Sequence, residues 1–172
     1  MRASRLVPWI VLLAAVAAYL VAGGRSGSGD AESAPVTRVV DGDTIEVRLD
    51  ERLEKVRLIG IDTPESVKPG TPVQCYAKAA SAETERLLDG RRVTLRFDAE
   101  RRDRYGRLLA YVYRDGLFVN AELVERGYAR TLTIPPNVAH ADLFARLARD
   151  ARERGRGLWV ACKGGSGDKV GV

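Results

Sequence analysis

One histidine, His140, and two cysteines, Cys75 and Cys162, are all that this chain of 172 residues offers to zinc. No His-rich metal site can be assembled from them, and the cysteines lack the close spacing of a zinc knuckle. Zinc chemistry and histidine-dependent triads are therefore excluded. The chain also has no P-loop, no dinucleotide fingerprint after a strand and no nucleophile elbow. Nucleotide hydrolases, dinucleotide enzymes and serine esterases are excluded with them.

What the chain does have is positive charge: 28 Lys and Arg against 23 Asp and Glu, a formal net +5. From position 35 onward 25 basic residues still face 21 acidic ones, so the excess belongs to the folded part. It suits an anionic partner, nucleic acid or an acidic membrane surface, and equally a merely soluble surface.

Arg2 and Arg5 precede an uncharged run from Leu6 to Gly24. Residues 1–24 read as an export signal, with Ala15-Val16-Ala17 as a cleavage site, or as a membrane anchor. Residues 25–34 read as a flexible linker, 35–160 as one domain and 161–172 as a tail. A basic flank before the apolar run places the domain outside the cytoplasm, secreted or tethered to the outer face of the membrane. Thiols oxidise there, which makes Cys75 and Cys162 a candidate disulfide.

Val36–Val40 and Thr44–Leu49 flank Asp41-Gly42-Asp43, a hairpin signature, and Lys55–Ile61 predicts a third strand stopped by Pro64. Tyr76–Leu88 predicts a helix with Gly90 just beyond its end. Arg92–Phe97 and Leu108–Tyr113 predict two further strands around the charged loop Asp98–Arg107. Asn120–Arg126 and His140–Arg154 predict helices, joined through Pro135-Pro136-Asn137. Three strands, a helix, two strands and then helices do not make an alternating parallel sheet. The order fits an α+β fold: a five-stranded OB-type Greek-key barrel with about three packed helices.

Asp41, Asp43 and Asp62 fall at strand ends and Glu65 follows closely. Converging carboxylates repel unless a cation lies between them, and hard oxygen ligands select Ca²⁺ or Mg²⁺. Otherwise these acids are turn and cap residues. Arg57 interrupts an apolar strand and Arg107 follows the Tyr105-Gly106 turn; beside a metal they would clamp phosphate, and without one they would pair with acids or cap a loop.

The ordered set Val40-Asp41-Gly42-Asp43-Thr44, Arg57 through Glu65, and Asp103-Arg104-Tyr105-Gly106-Arg107 resembles the thermonuclease family, the staphylococcal-nuclease-like domain. The resemblance runs from about Val36 to Trp159. It implies Ca²⁺-dependent cleavage of DNA and RNA phosphodiesters to 3′-phosphate ends. By the same resemblance Asp43 and Asp62 hold Ca²⁺ by carboxylate, Thr63 holds it by its backbone carbonyl, and Asp41 supports them. The resemblance also implies that Arg57, Glu65 and Arg107 are the catalytic residues, with Glu65 facing the attacking water, and that Arg104 and Tyr105 bind substrate.

One departure stands out. Where the family's type member sets a pair of tyrosines against the nucleotide base, this chain reads Thr131-Leu132-Thr133-Ile134. Base stacking is worth roughly 1–3 kcal/mol, so affinity or base preference shifts while the catalytic set is retained. Unpaired strands are the expected substrates, a monomer the expected state, and the membrane a partner only through the N-terminal segment. The alternatives are a non-catalytic binding module on the same barrel and a tethered scaffold.

Overall fold

The computed structural model describes residues 31–66, 70 and 72–163. The expected signal or anchor at 1–24, the expected linker up to residue 30 and the expected tail beyond 163 lie outside the described residues.

Among the described residues eight strands and four helices follow in chain order: β1 (Ala31–Asp41), β2 (Thr44–Leu49), β3 (Arg52–Leu58), β4 (Gly60–Asp62), α1 (Ala77–Leu88), β5 (Arg92–Arg96), β6 (Leu108–Arg114), β7 (Leu117–Phe118), α2 (Val119–Glu125), β8 (Arg130–Leu132), α3 (Ala141–Glu153) and α4 (Leu158–Ala161). The barrel order is β3-β2-β1-β5-β6, and β6 returns to β3 in parallel, Val56 opposite Leu108 and Leu58 opposite Ala110. That closure leaves the five barrel strands without a free edge and confirms the OB-type barrel.

The alternation in β1 and β2 turns Val36, Ile45 and Val47 inward. They join Val56, Leu58, Leu95, Leu108 and Val112 in a core capped by Leu87 and Leu88 of α1, Leu123 of α2 and Phe144 of α3. β6 is buried from Leu108 to Val112 because it lies between barrel and helices.

Two expectations change. The third strand does not run unbroken to Ile61. Gly60 takes φ +79° and splits it, and a side chain there would collide with the Phe144 ring. The short β4 thus leaves the barrel and pairs with β8, a strand the sequence pattern does not announce. At the other end, Ala31–Ala34 are not flexible linker: they pair with Arg96–Val93 of β5, Ala34 is fully buried, and Glu32 ion-pairs with Arg101. Residues of this polar, Ala-rich stretch carry no strand signal of their own; the open edge of β5 recruits them.

Cys75 and Cys162 form the expected disulfide, joining the segment before α1 to the end of α4.

Candidate active site

The β1–β2 turn is closed by its own acid: Asp41 Oδ1 accepts from the Asp43 N–H at 3.0 Å. Asp43 is aimed inward, 6% exposed, and its Oδ2 accepts from both the backbone N–H and the hydroxyl of Thr63, at 2.8 and 3.0 Å. Gly42 permits this approach, since an added Cβ would stand 2.7 Å from the Thr63 hydroxyl. Thr84 of α1 donates to the Gly42 carbonyl at 2.7 Å and fixes the turn from behind.

Arg57 leaves β3 toward the same point. Its Nη1 donates to the carbonyls of Leu58 (2.6 Å) and Ile61 (2.9 Å), and its Nη2 lies 3.2 Å from Asp43 and 3.1 Å from Asp62. The β3–β4 break that carries these carbonyls is itself held by Asn120, whose Nδ2 donates to Ile59 O and whose Oδ1 accepts from the Val112 N–H.

Arg107 approaches from the loop between β5 and β6. Asp103 organises that loop: its Oδ1 accepts from the N–H groups of Tyr105 and Arg107, and its Oδ2 accepts from Arg107 Nε at 2.7 Å. Burial alone would raise the Asp103 carboxyl, but the hydrogen bonds and charge of Arg107 outweigh it and hold the group below the ordinary range. Both the acid-pairing and the loop-capping alternatives for the two arginines are thus realised, and both side chains also face the acids. Asp41, Asp43, Arg57, Asp62, Thr63, Glu65 and Arg107, with Pro64, line one cavity of about 120 Å³.

Two of these acids, Asp41 and Asp62, are disfavoured as anions. Asp41 is pushed up to about 6, first by burial and then by the Asp43 charge. Asp62 is raised by burial and by Asp43, against the pull of Arg57 and Arg130. Among the described residues no three acid, His or Cys side chains form a finished metal cage. The donor set is nevertheless all oxygen, and Arg57, which pairs with Asp43 and Asp62, leaves the Asp41 and Asp62 carboxyls raised, which is the chemistry a hard divalent cation satisfies.

Glu65 sits on the loop after β4. Its backbone N–H donates to Gln74 Oε1 at 2.9 Å and its carbonyl accepts from the Gln74 N–H at 3.0 Å. Gln74, Thr84, Asn120 and Asp103 were not singled out from sequence for the site. No local pattern marks the first three, whereas Asp103 lay within the motif but without a role.

A larger groove of about 560 Å³ adjoins the cavity, and Arg57 and Arg107 line both. Tyr105, 68% exposed, forms part of its wall, and Arg104 Nη2 donates to the Tyr105 hydroxyl at 2.6 Å. Leu132 and Ile134 line the groove where a stacking pair was found missing, so its floor is aliphatic.

The fold and site together define an OB-type barrel with acids and arginines gathered at one mouth. The Staphylococcal nuclease homologue family matches residues 55–161. The chain is 46% identical over 128 residues to the thermonuclease of Staphylococcus intermedius, covering 74% of this chain and 76% of that protein. It is 42% identical over 124 residues to the thermonuclease of Staphylococcus hyicus, covering 72% and 73%. It is 40% identical over 124 residues to endonuclease YncB of Bacillus subtilis, covering 71% of this chain and 59% of that protein. The chain belongs to the staphylococcal nuclease homologue family, and with it to the hydrolytic nucleases.

Proposed function

We propose that this chain is an exported nuclease that hydrolyses phosphodiester bonds of DNA and RNA to 3′-phosphate ends with Ca²⁺ as its resident cation, acting as a monomer on unpaired strands. The observation that carries this is the double placement of Arg57 and Arg107, which line both the acid cavity and the groove. A strand lying in the groove brings a phosphate to both guanidiniums.

Asp43 and Asp62 would hold the cation by carboxylate and Thr63 by its carbonyl, with Asp41 in support. These residues would hold a Ca²⁺ whose charge would offset the negative charge that grows on the phosphate oxygens. Arg57 and Arg107 donate to those oxygens from two sides, each presenting parallel N–H groups that a lysine cannot reproduce. Glu65 orients the attacking water or takes its proton. Arg104 and Tyr105 hold the neighbouring nucleotide. Phosphate contacts read no sequence, so cleavage is tolerant of sequence and sugar.

The test is digestion of denatured DNA and of RNA by the full chain with Ca²⁺, Mg²⁺ or chelator, alongside Glu65→Gln and Arg107→Ala. Ca²⁺-dependent cleavage to 3′-phosphate ends that both variants lose supports the reading. Salt-sensitive binding with no cleavage overturns it in favour of a binding module.

A further inference from the structure

At the Arg130 end of β8 lies a second cavity that the catalytic reading does not use. Ala145, Ala148, Arg149 and Arg152 fall on one face of α3 at helical spacing. The two alanines leave space between the helix and its neighbours, and Arg130, Thr131 and Trp159 complete a cavity of about 320 Å³. The Arg152 guanidinium lies 4.4 Å from the Trp159 ring centroid and that of Arg130 lies 5.6 Å away.

No carboxylate lines this cavity. Among the described residues neither Arg149 nor Arg152 is ion-paired, and both are exposed. Three guanidiniums around one concavity without an acid create a local positive potential that attracts an anion. Structural ion pairing, the ordinary reason for arginines on a helix, does not account for Arg149 or Arg152.

The cavity's position says which anion. In the β4–β8 ladder Arg130 stands opposite Asp62, and the Arg130 charge is felt at the Asp62 carboxyl. Two residues along the same strand, Leu132 lines the groove. Arg130 and Leu132, two apart, project from the same face of β8, so the strand runs from the groove to the basic cavity, and a polyanion that leaves the groove along it meets the arginines next.

We propose that Arg130, Arg149 and Arg152 bind the phosphodiester backbone of a single nucleic-acid strand beyond the nucleotides at the cleavage site, a second contact that only longer strands reach. This rests on the phosphodiester substrate proposed above. The site holds phosphate by charge and reads no base.

The test is fluorescence anisotropy of labelled dT₄ and dT₁₆ with the full chain carrying Glu65→Gln, over a range of NaCl concentrations, with and without Arg149→Glu. Arg149→Glu weakens dT₁₆ binding about tenfold and flattens its salt slope by about 0.7 per lost contact, while dT₄ affinity holds. Arg149→Gln, the milder change, gives a smaller loss of the same kind, and thermal unfolding of both variants shows that the fold is retained. Equal effects on both lengths, or none on dT₁₆, overturn the proposal. A length-dependent loss in a chain whose Glu65 form cleaves nothing leaves this site standing and refutes the nuclease reading alone.

Discussion

Arg57 touches Asp43 through a single nitrogen, Nη2 to Oδ2 at 3.2 Å, while its other terminal nitrogen is spent on two backbone carbonyls. The carbonyl bonds orient the guanidinium plane, so its charge is held with 13% of the side chain exposed and little freedom to turn. A lysine has the charge and not the plane. Arg57→Lys is expected to lower kcat by about 10²–10³, the range for removing one fixed donor to a transition-state oxygen. Steady-state kinetics with Ca²⁺ checks this, and near-normal turnover refutes the orienting role.

Gln74 grips the Glu65 backbone from both directions. Gln74→Ala removes the acceptor for the Glu65 N–H, lets the carboxylate drift and lowers kcat about 10- to 100-fold with KM unchanged, as a displacement near 1 Å does. Gln74→Glu keeps an acceptor oxygen and retains most of the rate. The comparison of the two by single-turnover kinetics separates positioning from a loss of folding.

Because β1 begins at Ala31, the folded boundary can be tested by truncation. A chain starting at Ala31 keeps the ladder from Ala31↔Arg96 to Pro35↔Arg92, and one starting at Pro35 loses most of it together with the Glu32–Arg101 ion pair. The shorter chain is expected to be less stable by about 2 kcal/mol, since each net hydrogen bond contributes about 1 kcal/mol. That corresponds to a fall in Tm of roughly 5–10 °C. Identical melting curves would return residues 31–34 to the linker.

His140 packs edge-on to Tyr111 at 4.5 Å and near Phe118 at 4.9 Å. Burial lowers its pKa from 6.5; Asp98 pulls the other way and Arg96 reinforces the burial. The neutral ring is the folded form, so its contribution is complete above pH 6.5 and is lost as pH falls through the depressed folded value. Asp41, raised to about 6, acts in the opposite sense, losing its contribution as pH rises from 3.8 through 6. The readout is therefore a difference: Tm of the parent minus that of His140→Phe narrows toward acid from pH 7 if the His term is real. A constant difference across pH 7 to 5 rejects it.

The aliphatic groove floor makes a gain of binding testable. Ile134, 60% exposed, can take a larger ring without disturbing the core. Ile134→Tyr supplies one stacking surface and is expected to lower KM for short oligonucleotides about fivefold or more, from roughly 1–3 kcal/mol per stacked base, with kcat unchanged. An unchanged KM means that the base does not lie on this wall.

The barrel was legible because period-2 alternation, Asp-Gly turns and the Ala-rich helix are local signals. The acids and arginines were legible because their spacing matched a known pattern. β4, β8 and the start of β1 were not legible, since each is a short stretch that becomes a strand only when tertiary structure supplies an edge. Gly60 is the instructive case. In sequence it is one small residue in an apolar run, and only its positive φ and the Phe144 ring beside it reveal that the strand must break there. Gln74 and Asn120 escaped notice for a related reason: they act on backbone groups 9 and 61 positions away, and no local pattern records such a partner.

The Cys75–Cys162 bond turns the latter half of the chain into a covalent ring with an N-terminal arm. Asp41, Asp43, Arg57, Asp62 and Glu65 ride on the arm, whereas Arg104, Tyr105, Arg107 and the whole basic cavity ride on the ring. A protease cut in the exposed 98–107 loop therefore opens the ring without releasing a fragment. The two parts of the site stay tethered until a reductant arrives, a form of durability distinct from thermodynamic stability.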